Sequence, residues 1–380
     1  MRRELKEYKQ LTRKDLLKKN LQRYTDMTGK SSEAFEIMPQ TFILPQEYTQ
    51  LVRAFTEAEN ARRLVDGSPA QNLWIMKPVG MSRGRGIELV RDVGNLMYSQ
   101  STVVQRYVER PLTLNGYKFD LRLYVLVTSF KPLEAFIYKE GFARVSTHQY
   151  SLDPKDFDNK FIHLTNASIQ RMNEDGPKRD NPTEATEEST GGSKIPLHGP
   201  FGLWDRMEKL GMDIDLIWRN ICLCVLKSLV VVDEKMPHQP CCFEVFGFDI
   251  LLDQDLKPWL IEVNASPSMS RDNQLDVRVK TAMITDTIRL VDPTPYDRAA
   301  VARVIKRRLT DIAKNKFPMN KNDPQLESDL KDILGDLRPR RVGQVPRHLG
   351  DYQKIAPDTK IYQHVLRLKG RIIRPVDARR

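Results

Sequence analysis

Residues 257–270 read KPWLIEVNASPSMS. Trp259, Leu260, Ile261 and Val263 form a run suited to a buried strand, yet Glu262 sits inside it and Asn264 follows two positions on. Alternate residues of a strand share a face, so these two oxygen-bearing side chains point together from the end of an apolar element. A buried carboxylate without a partner is costly, so this stretch must meet something that holds charge. Upstream, CCFEVFGFDILLD (241–253) reads as a partner strand, joined to LKPWLIEVN by an Asp-rich turn at Asp253–Asp255. The hairpin brings Asp249 beside Glu262. Asp249, Glu262 and Asn264 together suit Mg²⁺, which takes a few carboxylates plus substrate phosphates. A hydrogen-bonded polar cluster, or an ion pair with a nearby Lys or Arg, is the alternative.

Other strands carry charge in the same way. WIMKPVGMSRGRGIELV (74–90) puts Lys77 at a strand end, then a loop with three glycines and two arginines, then a second strand. Glycines let backbone N–H groups approach an anion, and Lys77, Arg83 and Arg85 supply charge for phosphate oxygens. A plain hairpin with a basic tip has the same pattern. It is not a Walker A loop, because a strand follows it; Gly29-Lys30-Ser31 fails too, since position 24 is Tyr. In GYKFDLRLYVLV (116–127), Lys118, Asp120 and Arg122 share one face of an apolar strand. A salt-bridge ladder is the structural explanation; a charged ligand is the functional one. Gln105 opens QRYVERP, a segment like the linker between two lobes of a nucleotide cleft.

The chain has 380 residues, 40% hydrophobic and 29% charged, which is ordinary for a soluble globular protein. Its basic N-terminus has no apolar core after it, unlike a signal peptide. The longest apolar stretch, Ile221–Val232, is broken by Lys227 and is short for a membrane span. These features predict a soluble intracellular chain. Cys222, Cys224, Cys241 and Cys242 form CxC and CC, without the two-residue gap of a zinc site, and read as core residues. Residues 294–380 hold 21 Lys and Arg against 10 Asp and Glu, a surplus equal to the net charge of +11 of the whole chain. Such a block is either a solvated tail or an arm for a polyanion. No zinc-finger or RNP-type motif points to nucleic acid.

Apolar periodicity predicts helices over 1–25, after a turn at Pro45 within Thr41–Leu64, over Ile214–Val230 and over 276–291. Strands are predicted through 73–150, and a mobile surface loop over 173–200. The fold class is α/β (α+β).

WIMKP, RGRGI, QRYV, KFDLRLYVLV, GFARVST, FIHLTNASIQ, CFEVFGFDILLD and LKPWLIEVNASPS follow the order found in tubulin tyrosine ligase-like proteins, an ATP-grasp family. The resemblance covers about residues 73–292, and LKPWLIEVNASPS is close to diagnostic. It implies an N-terminal helical remnant at 1–70 in place of a full N-terminal lobe. A central ATP-grasp lobe at 71–150, a C-terminal lobe at 151–292 and a basic extension at 293–380 would follow. It implies an ATP-dependent amino-acid ligase in which an amine attacks an acyl phosphate, with ATP and Mg²⁺ as cofactors. By resemblance, Asp249, Glu262 and Asn264 would hold Mg²⁺, and Lys77, Arg83 and Gly84 would bind phosphates. Gln105, Arg106, Tyr107 and Val108 would hold adenine; Lys118, Phe119, Asp120, Thr165 and Asn166 would complete the nucleotide site. Arg122, with Arg83, would stabilise the acyl phosphate. Arg144 would take the carboxylate of the incoming amino acid, with Ser168 and Lys194 beside it. His163 reads as a satisfied core residue. RGRGI and LIEVNASPS are more like the glutamylating branch, with glycylases, tyrosine ligases and inactive microtubule-binding relatives as alternatives. The implied partners are acidic tubulin tails, free L-glutamate and accessory subunits, with no nucleic acid or membrane. The implied location is cytoplasmic and cytoskeletal, at the axoneme or basal body of a cilium or flagellum.

Overall fold

A computed structural model describes residues 7–26, 33–64, 72–79, 85–96, 101–173, 192, 194–239, 242–313, 324–335, 337 and 340–373. They divide into two compact units, Met1–Met283 with Asp351–Arg380, and Ile284–Gly350.

In the first unit a small antiparallel sheet holds β1 (Thr41–Leu44), β2 (Trp74–Pro78), β3 (Glu88–Val90) and β4 (Thr102–Arg106), in the order β1-β4-β2-β3. One face packs Phe42, Trp74, Met76 and Val104 against Leu51 of helix Tyr48–Leu64. The other turns Ile75 towards Tyr107, Phe157 and Leu164. Where the sequence reading placed only a turn and a helix, TFIL forms β1. All four of its residues are buried and pair in register with Gln105 back to Thr102, so the helix begins at Tyr48.

The large sheet comprises β5 (Thr113–Leu114), β6 (Tyr117–Phe130), β7 (Leu133–Tyr138), β8 (Phe142–Gln149), β9 (Lys194–Pro196), β10 (Glu244–Leu252), β11 (Pro258–Ala265) and β12 (Tyr352–Ala356). The long strand β6 is its axis. One edge of β6 pairs with β10; the other is shared by β8 along its first half and β7 along its second. Phe119, Leu121, Leu123, Val125 and Val127 alternate into the core, where they join Ile217, Ile221 and Val225 of helix Ile214–Val230. Each such side chain contributes roughly 1.5–3 kcal/mol by leaving water. The helix starts where predicted because Asp213 caps it, accepting from the Leu216 N–H at 2.9 Å.

Two divisions differ from the sequence reading. The sheets part between Arg106 and Thr113 and not near residue 150, because β6 pairs with β8 and β10 at once. Strands β6 to β8 therefore belong with the hairpin that carries Asp249 and Glu262. The basic stretch 293–380 also splits. Its end returns to the first unit: β12 pairs with β7, and Lys369 of helix Lys360–Ile373 lies 2.8 Å from Asp233. Net charge hid this, because the burial of Tyr352, Ile355, Ala356 and Val365 fixes the placement. The second unit, taken by itself, contains helices Arg298–Ala313 and Pro324–Leu334, where Arg307 and Arg308 both reach Asp329. Of the expected loop 173–200, residues 174–191 and 193 lie outside the described residues, and 194–196 form β9. No helix among the described residues is long and apolar enough to cross a membrane.

Candidate active site

Register on the large sheet sets two rows of charge side by side. Across β6, β10 and β11, Arg122 pairs with Asp249 and Asp249 with Glu262. Across β6, β8 and β9, Asp120 pairs with Arg144 and Arg144 with Lys194. Because Asp120 and Arg122 are two residues apart, the rows share a face.

The side chains close this pattern. Arg122 donates to both Asp249 oxygens, at 2.5 and 3.1 Å. Arg144 donates to both Asp120 oxygens at 2.6 and 2.7 Å, and its Nη2 is 2.9 Å from Asp249. The Thr165 hydroxyl donates to Asp120 at 2.5 Å. Lys14, from the start of helix Lys14–Asp26, reaches Glu262 at 2.7 Å, and the Asn264 amide donates to the same carboxylate at 3.1 Å. Burial pushes the Asp249 carboxyl up, and Arg122 and Arg144 pull against it. Burial also raises Glu262, but Lys14, Asp249 and Asn264 outweigh it and hold that carboxyl below its ordinary range. Burial opposes the charge on Arg144 as well; Asp120 and Asp249 overcome it, so the guanidinium stays charged.

Two lysines of the same cleft, Lys77 on β2 of the small sheet and Lys118 on β6 of the large one, behave differently. Lys77 donates to the Gln105 side-chain oxygen at 2.7 Å, and Gln105 donates in turn to the Thr41 hydroxyl at 2.9 Å. Lys118 donates to the Tyr107 hydroxyl at 2.8 Å and to the His163 carbonyl at 2.9 Å. These acceptors are neutral. Burial lowers Lys77 to about 8 and Lys118 to about 7. Two buried ammonium groups without a carboxylate in contact among the described residues could hold an anion that arrives from outside. The Arg106 and Tyr107 amides donate to the Gln40 and Leu73 carbonyls, at 2.7 and 2.9 Å.

The cleft thus gathers Lys77, Gln105 to Val108, Lys118, Asp120, Arg144, Thr165, Asn166, Asp249 and Glu262. Arg122 adjoins it through Asp249. Asp249, Glu262 and Asn264 form a hard-oxygen donor set at the end of one hairpin, which fits a magnesium ion. The third donor is an amide: no cluster of three His, Cys, Asp or Glu capable of holding a metal occurs among the described residues. Other expectations change. Phe119 is buried in the core, because the two-residue period that turns Lys118 and Asp120 to the cleft turns Phe119 away. Arg144 is occupied by two carboxylates. Lys194 leaves its row to meet Asp276 at 2.8 Å, a fully buried carboxylate also held by Lys280. Ser168 is half-buried on the short helix Ala167–Gln170, outside the cleft lining. Arg83 and Gly84 lie outside the described residues. Sequence reasoning missed Lys14 and the side chains of Tyr107 and His163; only the basic LTRKD at the start of its helix pointed to Lys14.

A family model described as the tubulin-tyrosine ligase family matches residues 1–300. The chain belongs to the tubulin-tyrosine ligase family. Among its relatives in that family, human tubulin polyglutamylase TTLL5 is 35% identical over 353 residues, covering 88% of this chain and 26% of the relative. Human tubulin monoglutamylase TTLL4 is 35% identical over 291 residues, covering 74% of this chain and 22% of the relative. The Tetrahymena thermophila protein named "Probable alpha-tubulin polyglutamylase Ttll1" is 34% identical over 317 residues, covering 76% and 71%. The chain spans about a quarter of the length of TTLL5.

Proposed function

We propose that this chain carries the core of an ATP-dependent tubulin glutamylase, which joins free L-glutamate to glutamate side chains of acidic tubulin tails through an acyl phosphate. The observation that carries the reading is the cleft itself: two buried lysines on neutral acceptors, facing a carboxylate pair. Lys77 and Lys118 would bind phosphate oxygens, and Val108 with its neighbours would take the base. Asp249, Glu262 and Asn264 would hold Mg²⁺, which when bound neutralises the phosphates and fixes their geometry. Arg122 sits where it stabilises developing negative charge once Asp249 is shared with a cation. Arg144, which keeps Asp120 and Asp249 in place, would also meet the carboxylate of the amino acid.

The relatives' names favour glutamate over glycine or tyrosine. Microtubules are the expected surface and the cytoskeleton, including cilia, the expected place; the basic second unit suits an acidic lattice by charge. The test is incorporation of radiolabelled glutamate, glycine and tyrosine into microtubules with ATP and Mg²⁺, for wild type and Glu262→Gln. Glutamate incorporation that falls at least a hundredfold in the variant is the expected result. Incorporation of another amino acid would reassign the enzyme, and unchanged turnover in the variant would remove Glu262 from the site.

A further inference from the structure

Tyr107 leaves β4 with its side chain 5% exposed. Its hydroxyl lies 3.0 Å from His163 Nδ1 and 2.8 Å from Lys118 Nζ. On its other side His163 places Nε2 3.1 Å from the carbonyl oxygen of Asp156. A carbonyl only accepts, so Nε2 carries the hydrogen and, in a neutral ring, Nδ1 is the acceptor. Burial and the charge of Lys118 keep that ring neutral, lowering it to about 4. Tyr107 therefore donates to Nδ1, and its oxygen receives from Lys118. Tyr150 stands beside them and interacts with Tyr107, but its own hydrogen goes to the Glu109 carbonyl at 2.7 Å, and the hydrogen-bond geometry pairs the Tyr107 hydroxyl with Nδ1. Donation runs one way, from Lys118 to Tyr107 to His163 to Asp156.

Lys118 gives a second hydrogen to the carbonyl of His163 at 2.9 Å. An ammonium has three, so one remains for the cleft. We propose that Tyr107 and His163 are positioning residues for Lys118, locking two of its N–H bonds so that the third meets a single anionic oxygen of the nucleotide. The inference rests on reading the cleft as a nucleotide site. It also separates the two lysines. Lys77, held by one hydrogen bond to Gln105, keeps two hydrogens and can bridge phosphate oxygens, whereas Lys118 serves one.

Two isosteres divide the roles of His163. Asn puts an acceptor near Nδ1 and drops the contact with Asp156; Gln keeps a donor near Nε2 and drops the acceptor for Tyr107. Titration of the full chain with MgATP in a calorimeter is expected to give His163→Asn within about threefold of wild type. His163→Gln and Tyr107→Phe should bind about tenfold more weakly, the size of one lost hydrogen bond to a charged chain. A structural tether to Asp156 predicts the opposite order, and that order, or wild-type affinity in Tyr107→Phe, overturns the proposal. If a His163 variant does not fold, the Tyr107→Phe and Lys118→Met pair decides. Losses that do not add support positioning, and additive losses overturn it. A wild type that binds no nucleotide removes the nucleotide reading and this proposal with it.

Discussion

Buried charge is handled in two ways within one cleft. On the hairpin side, Arg122 and Arg144 converge on Asp249 and Lys14 meets Glu262, so opposite charges neutralise each other within 3.1 Å. In the same cleft, Lys77 of the small sheet and Lys118 of β6 hydrogen-bond to neutral oxygens instead. The first arrangement is complete as a folding device, and breaking it strands a charge. The second is incomplete, because burial has lowered both lysines against the pull of Glu262 and Asp120, and no carboxylate among the described residues touches them. An anion bound there would offset their cost. An unpaired buried cation therefore leaves room for an anion, whereas the paired carboxylates already carry Lys14, Arg122 and Arg144, with which a metal would share them.

The largest effect expected from this contrast is Asp249→Ala. It leaves Arg122 and Arg144 facing each other without their shared partner, at a cost of about 3–5 kcal/mol, read as a fall in the urea midpoint at constant slope. A loss below about 1 kcal/mol would show that the hairpin side is no better paired than the lysine side.

Lys118→Met is predicted to go the other way. Removing a buried, unpaired ammonium leaves stability unchanged or raises it by about 1–2 kcal/mol, while MgATP affinity falls at least tenfold. The sign with pH follows. Burial holds Lys118 at about 7 in the fold, below the ordinary lysine value of about 10.4, so unfolding takes up a proton between those limits. The penalty is full at pH 7 and below and fades as pH rises towards 10. Denaturation of both proteins at pH 7 and pH 9 should find the wild type gaining on the variant by about 1–2 kcal/mol. A constant gap would mean that the lysine is not desolvated.

The smallest effect belongs to an exposed pair. Arg110 and Asp255 meet at 3.1 Å with side chains 62% and 74% exposed, and Arg110→Ala should cost under about 0.5 kcal/mol. A loss like that of Asp249→Ala would mean that burial is not what separates the two sides.

Much of this could be read from the chain. The two-residue period in KFDLRLYVLV put Lys118, Asp120 and Arg122 on one face, and the Asp-rich turn put Asp249 opposite Glu262; both registers are present. The same period should have sent Phe119 inward. What was not legible depends on long-range contacts. Lys14 meets Glu262 across 248 residues, Asp276 claims Lys194 across 82, and β12 reaches β7 from the far end of the chain. No local pattern encodes which lysine finds which carboxylate. His163 was read as satisfied in the core, which is true of its hydrogen bonds but overlooks that they lead to Lys118.

On the proposed reading Lys77 and Lys118 take an anion, and Asp249 and Glu262 a divalent cation. Calorimetric titration of ATP with and without Mg²⁺, on wild type and Glu262→Gln, tests it most directly. The account predicts that Mg²⁺ strengthens ATP binding to wild type at least tenfold, and that Glu262→Gln loses most of this gain while retaining metal-free binding at the lysines. ATP binding to wild type that is equal with and without Mg²⁺ would contradict it.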